Sequence, residues 1–209
     1  MSDVYPKAQR HLGRRDPVLK QLIRQIGPCT LKLELDPFTS LVRAIVAQQI
    51  SSKAAASINA RLVASVGRGG LTARAILRAT DETLRGAGLS ASKIRSVRDL
   101  AARVHAGDVP LDRLHEHPDE EVITYLVPVR GIGRWTAEMF LIFSLGRLDV
   151  LPVDDLGLRM GVQERYGLGQ MPGKAQLQEM AEPWRPYRSI ATWYFWRSRG
   201  FVPQSKVNG

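Results

Sequence analysis

The sequence predicts an all-α protein, and two observations support this prediction. Apolar side chains recur at intervals of three and four residues through most of the 209 residues, as one face of a helix requires. No segment sustains the alternation of apolar and polar residues that marks a half-buried strand. Apolar residues make up 44% of the chain, which is enough for a core and argues against disorder. We therefore predict about ten helices joined by short loops.

Apolar spacing and end signals place the clearest helices along the chain. Pro37 suits the first turn of one of them, and the glycines of 67–70 end the next. We predict a helix from Pro37 to Val46, a second one that follows Ser51-Ser52 and continues through Val63, and short helices over 72–77 and 81–85. A longer helix, capped by Ser90 or Ser92, is predicted to reach about His105. About the first 30 residues and the tail after Phe201 lack such signals, and we expect both to be loosely tied to the fold.

The charge balance indicates a polyanionic partner. Thirty Lys and Arg against 20 Asp and Glu leave a formal charge of +10, and nucleic acid is the first candidate because bound phosphates release their counterions. No stretch approaches the roughly 18 apolar residues that span a membrane, and the N-terminus has no signal-peptide segment. We expect no membrane partner and a cytoplasmic, nucleoid-associated protein. The single cysteine, Cys29, excludes an internal disulfide and a Cys-ligated metal cluster.

The segment 118–145 predicts two helices that meet through a very tight glycine turn. The first has an acidic first turn, and the second begins near Arg134. Gly131 and Gly133 allow backbone angles closed to other residues and leave the amides of the second helix open to a phosphate. Ile132 is expected to point inward as an apolar plug. An ordinary turn between two helices gives the same pattern, so this alternative stays open at this point.

Two neighbouring carboxylates, Asp154 and Asp155, precede a further predicted helix. One of them can be explained as an N-cap, which contributes about 1 kcal/mol. Capping needs only one carboxylate. A second one, held near the positive end of a helix, is what a reaction through a cationic transition state requires.

Five separated segments together point to one family. They are Ala47-Gln48-Gln49-Ile50-Ser51, Gly88-Leu89-Ser90 with Lys93, VRGIGRWTAEMFLIF from 129, LPVDDLGLRMG from 151, and Trp184-Arg185-Pro186-Tyr187-Arg188-Ser189. Over about residues 36–200 the chain resembles the helix-hairpin-helix (HhH-GPD) DNA glycosylases, and within them the 3-methyladenine DNA glycosylase II (AlkA-like) family. The resemblance implies one glycosylase domain over 1–209, without a separate N-terminal β domain. That domain would have two helical lobes with the active-site cleft between them.

The resemblance also implies how the chain holds DNA. Gln49, with Ile50 beside it, would enter the minor groove and fill the place of a flipped nucleotide, although two glutamines can also satisfy local helix ends. Backbone amides of the glycine turn would bind phosphates beside the lesion. The implied DNA-binding residues are Gln48, Gln49, Ile50, Lys53, Arg130, Gly131, Gly133 and Arg134.

The family pattern assigns Asp155 as the catalytic carboxylate, with Asp154 as the alternative because the alignment can slip by one residue. A carboxylate beside the sugar stabilises an oxocarbenium-like transition state and orients the attacking water. Trp135, Trp196 and Met139 match positions of the base pocket. Aromatic rings there suit a cationic, alkylated base through cation–π attraction.

Trp135 also stands where relatives that nick DNA carry a nucleophilic lysine, which implies that water is the nucleophile. The implied function is a monofunctional glycosylase that removes alkylated purines, 3-methyladenine and 7-methylguanine, from double-stranded DNA in base excision repair, as a monomer. A glycosylase for deaminated or otherwise damaged bases and a non-catalytic DNA-binding module are the alternatives. No cofactor is required, and the family pattern implies a structural Na⁺ or K⁺ on the carbonyls of Val127, Val129 and Ile132.

Overall fold

The computed structural model describes residues 4–34, 36–66, 70–200 and 203, and that part of the chain contains helices and no β-strand. This confirms the all-α prediction, with twelve α-helices in the described residues where about ten were expected. Two short 3₁₀ helices, Leu114–Glu116 and Glu182–Trp184, accompany them. The α-helices are α1 Val4–Arg15, α2 Pro17–Ile26, α3 Pro37–Ala47, α4 Ser52–Ser65, α5 Ala73–Arg78, α6 Asp81–Gly86, α7 Ala91–Ala106, α8 Asp119–Leu126, α9 Arg134–Phe143, α10 Leu156–Tyr166, α11 Lys174–Met180 and α12 Arg188–Ser198.

Side-chain caps explain why the predicted helices begin where they do. Asp36 accepts hydrogen bonds from the first amides of α3, and Ser51, Thr72 and Ser90 each cap the helix that follows them. The predicted bounds therefore agree closely with the observed ones. The glycines at 67–69, predicted to end α4, lie outside the described residues. None of the helices in the described ranges is both long and apolar enough to cross a bilayer.

The prediction of a loosely tied N-terminus was wrong. Two helices, α1 and α2, occupy residues 4–26, and their apolar side chains Ala8, Leu12, Leu19 and Leu22 are buried. On α1 the apolar residues are few. On α2, however, Val18, Leu19, Leu22, Ile23 and Ile26 follow helical spacing after Asp16-Pro17, a signal that the prediction overlooked. Of the tail after Phe201, only residue 203 is described.

The chain divides into two compact units. The described residues of Met1–Leu33 and Gly146–Ser205 form the first, with α1, α2, α10, α11 and α12. Within it, α12 is buried over Ser189–Trp196 and packs against α1, α2 and α10. The second unit takes its described residues from Glu34–Leu145, where α3 packs on α4, α7 and α9, and α8 packs on α9.

A buried carboxylate joins three segments of the first unit. Oδ1 of Asp16 caps α2 by accepting the amides of Val18 and Leu19 at 2.8 and 3.0 Å. Its Oδ2 accepts the indole N–H of Trp184 at 2.8 Å and the hydroxyl of Tyr166. Burial, and then the Asp16 carboxylate, raise the pKa of Tyr166. One side chain therefore ties α2 to α10 and to the segment before α12.

Replacing Asp16 tests this connection. Asp16→Ala removes a helix cap and leaves two buried donors unsatisfied, so we expect it to lower the free energy of unfolding by about 3 to 4 kcal/mol. Urea unfolding followed by tryptophan fluorescence measures it, since three of the four tryptophans lie in the first unit. Tyr166→Phe, which loses one bond, should cost only about 1 kcal/mol. Equal stability of Asp16→Ala and the wild type would contradict the assignment.

Candidate functional site

Asp155 is held rigidly at the start of α10. It is the N-cap of that helix, and its side chain is buried, with 4% of the residue exposed. Its Oδ1 accepts the Leu158 amide at 2.6 Å and the indole N–H of Trp196 at 2.8 Å. Two N–H donors and the positive end of the α10 dipole therefore converge on this carboxylate and set its orientation.

Two glycines on α10 bring Trp196 within reach of Asp155. A Cβ at Gly157 would lie 3.2 Å from Oδ1 of Asp155 and 3.3 Å from Cδ1 of Trp196. A Cβ at Gly161 would lie 3.1 Å from the main-chain oxygen of Phe195. Because neither glycine has a side chain, α10 and α12 can approach closely. This pair was not predicted from the sequence, although glycines four residues apart on one helix were the available signal.

The loop that leads to Asp155 is fixed by the start of α12. Arg188 donates from Nε to Oδ1 of Asp149 at 2.8 Å and from Nη2 to Oδ2 at 2.9 Å. Ser189 accepts the Val150 amide on its hydroxyl at 2.9 Å. Arg188 and Ser189 belong to the segment 184–189 that carried part of the family resemblance. This segment therefore fixes the loop that precedes Asp155.

Asp154 has a different environment from its neighbour. Its side chain is 44% exposed and forms an ion pair with Lys174. The Asp155 carboxylate, in contrast, is buried between α10 and α12. The geometry favours Asp155 over Asp154 for chemistry in a desolvated site.

The predicted glycine turn lies between α8 and α9 in the second unit. Gly131 has a φ of +82°, and a Cβ there would lie 3.0 Å from Oγ of Ser96. Ile132 is buried, as predicted for an apolar plug. Gly133 is the N-cap of α9 and provides no side-chain cap, and a Cβ at this residue would have no neighbour within 4 Å. The first amides of α9 are therefore open to an anion.

Helix α7 supports this turn through Asp99 and Ser96, and a third side chain on the same face, Lys93, contacts the end of α3. Oδ2 of Asp99 accepts the backbone amide of Arg130 at 2.7 Å, and Ser96 lies against Gly131. One turn earlier, Nζ of Lys93 donates to the carbonyl of Val46 at the end of α3, at 2.6 Å. Burial lowers the pKa of Lys93. Lys93 was part of the family resemblance, but these contacts were not predicted from the sequence.

The turn between α3 and α4 is linked to the glycine turn. Nε2 of Gln48 donates to the carbonyl of Gly131 at 2.7 Å, so this glutamine binds the other turn rather than its own helix end. Gln49 has a φ of +59°, a strained conformation for a residue with a side chain. Gln49 and Ile50 are both exposed. An exposed apolar side chain at a strained turn fits the prediction that Gln49 and Ile50 enter the minor groove.

The three cationic side chains predicted to contact DNA differ in whether carboxylates of the protein bind them. Lys53 and Arg130 have exposed side chains. Arg134 instead pairs with both carboxylate oxygens of Glu120 and, at 3.1 Å, with Glu138. These carboxylates raise the pKa of Arg134, and Arg134 lowers that of Glu120. The Arg134 guanidinium therefore has carboxylate partners within the protein, while its side chain remains 49% exposed.

The predicted pocket residues lie in both units. Trp135, in the first turn of α9, is 41% exposed, and Met139 one turn later is buried. Trp196 belongs to the first unit and is completely buried, so its observed role is the hydrogen bond to Asp155 rather than an open stacking surface. Leu156, next to Asp155, exposes 58% of its area and was not identified from the sequence. The described residues contain no group of three His, Cys, Asp or Glu that could hold a metal ion.

Comparisons with known proteins cover most of the chain. A sequence model of the HhH-GPD superfamily, described as base excision DNA repair proteins, matches residues 42–186. DNA-3-methyladenine glycosylase 1 of Schizosaccharomyces pombe is 36% identical over 96% of this chain and 90% of that protein. The crystal structure of a DNA-3-methyladenine glycosidase from Bacillus halodurans gives a TM-score of 0.84 at 39% identity, covering 92% of this chain and 89% of that one. A Schizosaccharomyces pombe 3-methyladenine DNA glycosylase in complex with abasic DNA gives 0.80 at 36% identity, covering 94% and 98%.

The two glycines of the turn should respond differently to alanine. Gly131→Ala places a side chain at positive φ and against Ser96, so we expect it to lower stability by about 2 kcal/mol. Gly133→Ala meets no neighbour and has φ of −95°, so it loses only the preference for glycine over alanine at an N-cap, and we expect a loss of about 0.5 to 1 kcal/mol. Thermal unfolding of both variants measures the difference. Equal losses would show that the conformation of Gly131 is not what the turn requires.

Proposed function

The chain belongs to the HhH-GPD superfamily of base excision DNA repair proteins, and from this membership we propose that it is a monofunctional DNA glycosylase that removes alkylated purines from double-stranded DNA. The similar proteins named as 3-methyladenine glycosylases support the substrate class. The single observation that carries the proposal is the buried, hydrogen-bonded carboxylate of Asp155. Capping α10 requires only the bond to the Leu158 amide, whereas Asp155 is also bonded to the indole of Trp196 from a second helix, which fixes the carboxylate in one orientation.

The proposed reaction is hydrolysis of the N-glycosidic bond. Water adds to the anomeric carbon while the bond to the base nitrogen breaks, and the bonding electrons leave with the base. A purine alkylated at N3 or N7 already carries a positive charge, so it departs as a neutral molecule without an acid catalyst. Asp155 stabilises the cationic sugar and accepts the proton that water loses. Its two N–H donors keep the carboxylate in one orientation throughout.

DNA binding is assigned to the second unit. The open amides at the start of α9 would bind a backbone phosphate, with Lys53 and Arg130 as exposed cations close in sequence to the two turns. Gln49 and Ile50 would fill the space that a flipped nucleotide leaves in the duplex. In this proposal Gln48 is a positioning residue, because its amide is bonded to the glycine turn.

Water is the proposed nucleophile because α9 offers no amine for covalent catalysis. The helix Arg134–Phe143 contains no lysine, and Trp135 stands at the position where lyases of the superfamily carry one. Without a Schiff base the strand is not cut, and the product is an abasic site.

A monovalent cation fits the end of α8. The carbonyl of Val129 accepts the Ile132 amide at 3.0 Å and keeps a second lone pair. The carbonyls of Val127 and Ile132 accept no hydrogen bond from the described residues. Oxygen atoms at the negative end of a helix suit Na⁺ or K⁺, which would partly neutralise a bound phosphate. The proposed ligands are main-chain atoms, so they depend on the turn rather than on particular side chains.

Replacing each aspartate separately tests the proposed chemistry. Asp155→Asn keeps an oxygen that can cap α10, so we expect a stable protein that binds methylated duplex DNA but releases base at least about 100-fold more slowly. Asp154→Asn is the matched control, and its rate should stay within about threefold of the wild type because that carboxylate is exposed. Single-turnover excision at saturating enzyme measures both rates. Wild-type excision by Asp155→Asn would remove this residue from the mechanism.

The same assay on duplexes with methylated, ethenylated or deaminated bases tests the substrate class. Release of methylated purines alone, or far above the others, supports the proposal. Preferential release of a deaminated base would overturn the alkylpurine assignment while leaving the glycosylase assignment intact.

Trp196→Phe separates the two roles considered for this side chain. The variant retains an aromatic ring but loses the N–H donor to Asp155, so we expect the excision rate to fall about tenfold with unchanged DNA affinity. Trp193→Phe removes a comparable volume from the same buried helix without touching Asp155 and serves as the control. Equal rates for the two variants would show that the hydrogen bond does not position the carboxylate.

A further inference from the structure

The two N-terminal helices carry a dense positive charge that the proposed reaction does not use. Residues 4–26 contain one carboxylate, Asp16, which is buried among its hydrogen-bond donors. The same 23 residues contain six cations, and all six are exposed. They are Lys7, Arg10, Arg14, Arg15, Lys20 and Arg24.

Helical spacing places five of these cations on two short rows. On α1, Lys7, Arg10 and Arg14 are separated by three and four residues, so they share one face. On α2, Lys20 and Arg24 are four residues apart and share another. We call these five residues the α1–α2 basic face.

The packing of α1 on α2 turns both rows to the same side. A Cβ at Gly13 would lie 3.8 Å from Cα of Lys20 and 3.8 Å from Cδ1 of Ile23, so the helices pack side by side through this glycine. Leu12 and Leu19, the sequence neighbours of Gly13 and Lys20, are completely buried. With the core on one side of the contact, both rows of cations must face solvent on the other.

These cations are not neutralised within the protein. None of the five pairs with a carboxylate that the structure describes, whereas Arg98, Arg103 and Arg134 elsewhere in the chain all do. Two adjacent rows of like charge repel one another, and a bound polyanion would relieve that repulsion. Among the residues that the structure describes, the large exposed apolar side chains are Ile50, Val63, Val127, Trp135 and Leu156, and none of them lies on α1 or α2.

From these observations we propose that the α1–α2 basic face is a second DNA-binding surface, which holds the backbone phosphates of duplex DNA independently of sequence and of damage. The proposal rests on the proposed function only in taking duplex DNA as the polyanion. Arginine predominates on the face, and its guanidinium matches phosphate geometry. A protein partner would be expected to find an apolar centre among the charges, which this face lacks.

Such a surface acts on binding and not on chemistry. It raises the affinity for any duplex, including undamaged DNA, through the release of counterions. The excision rate at saturating enzyme does not depend on it, because none of its residues touches the base, the sugar or Asp155.

The test compares two variants with equal loss of charge. Arg10→Gln/Arg14→Gln/Arg24→Gln removes three cations of the basic face. Arg113→Gln/Arg165→Gln/Arg199→Gln removes three that the protein already engages, with Glu116, the Ser198 carbonyl and Glu164. Binding to an undamaged duplex of about 20 base pairs is measured between about 50 and 200 mM salt, a range over which phosphate contacts weaken strongly.

We expect the basic-face variant to bind at least about tenfold more weakly at low salt, with a salt slope smaller by about 2 to 3, at roughly 0.9 per lost phosphate contact. The control variant should keep the wild-type slope. If both variants lose affinity equally, net charge explains the effect and the surface is not a site. If neither loses affinity, the proposal is also overturned.

Two further measurements separate the remaining outcomes. The first is binding to poly-glutamate. If the basic-face variant loses affinity for poly-glutamate but retains its affinity for DNA, the occupant is an acidic polypeptide and the proposal is overturned. Single-turnover excision of methylated duplex by the wild type is measured in parallel. Absence of excision together with a reduced salt slope in the variant would reject the proposed function and leave the surface intact, so the two failures are distinguishable.

Discussion

The hydrogen bond between Trp196 and Asp155 is the interaction on which the geometry of the first unit depends. It requires α10 and α12 to approach closely, and the glycines at 157 and 161 leave the space for that approach. It also requires the loop before Asp155 to enter α10 at a fixed angle, which Arg188 secures through Asp149. Asp16 extends the same chain of bonds, because it holds Trp184 at the head of that segment. The buried carboxylate of Asp16 thus contributes to the position of the Asp155 carboxylate, which is the one proposed to act.

In the second unit, a single helix fixes the positions of two turns. Helix α7 places Lys93, Ser96 and Asp99 along one face, and these side chains contact the end of α3 and the glycine turn. Gln48 then joins the two turns directly. Turns usually move more than the helices they connect. These contacts give both turns fixed positions relative to each other, as is required if one holds a phosphate and the other enters the duplex.

The sequence predicted features that depend on near neighbours and missed those that depend on distant ones. Helix bounds, the cap at Asp155 and the inward Ile132 follow from spacing and end chemistry within a few residues. The bonds of Trp196 to Asp155 and of Gln48 to Gly131 join residues 41 and 83 positions apart, and no local pattern encodes such pairings. The same limit explains why the ion pair between Arg134 and Glu120, which are 14 residues apart, was not predicted from the sequence. Helices α1 and α2 were missed for another reason: α1 has few apolar residues, and the local start signal of α2 at Asp16-Pro17 was overlooked.

The glycine turn shows how one short motif can meet two unrelated requirements. Gly131 is needed for its backbone angle and for the space that Ser96 occupies, which are demands of folding. Gly133 has an ordinary angle and no neighbour, so folding constrains it only through the modest preference for glycine over alanine at an N-cap. Because Gly133 has no side chain, an anion can approach the first amides of α9. This access matters only for a protein that binds a ligand there. A glycine that folding constrains only weakly is therefore better evidence for binding than one that the fold requires.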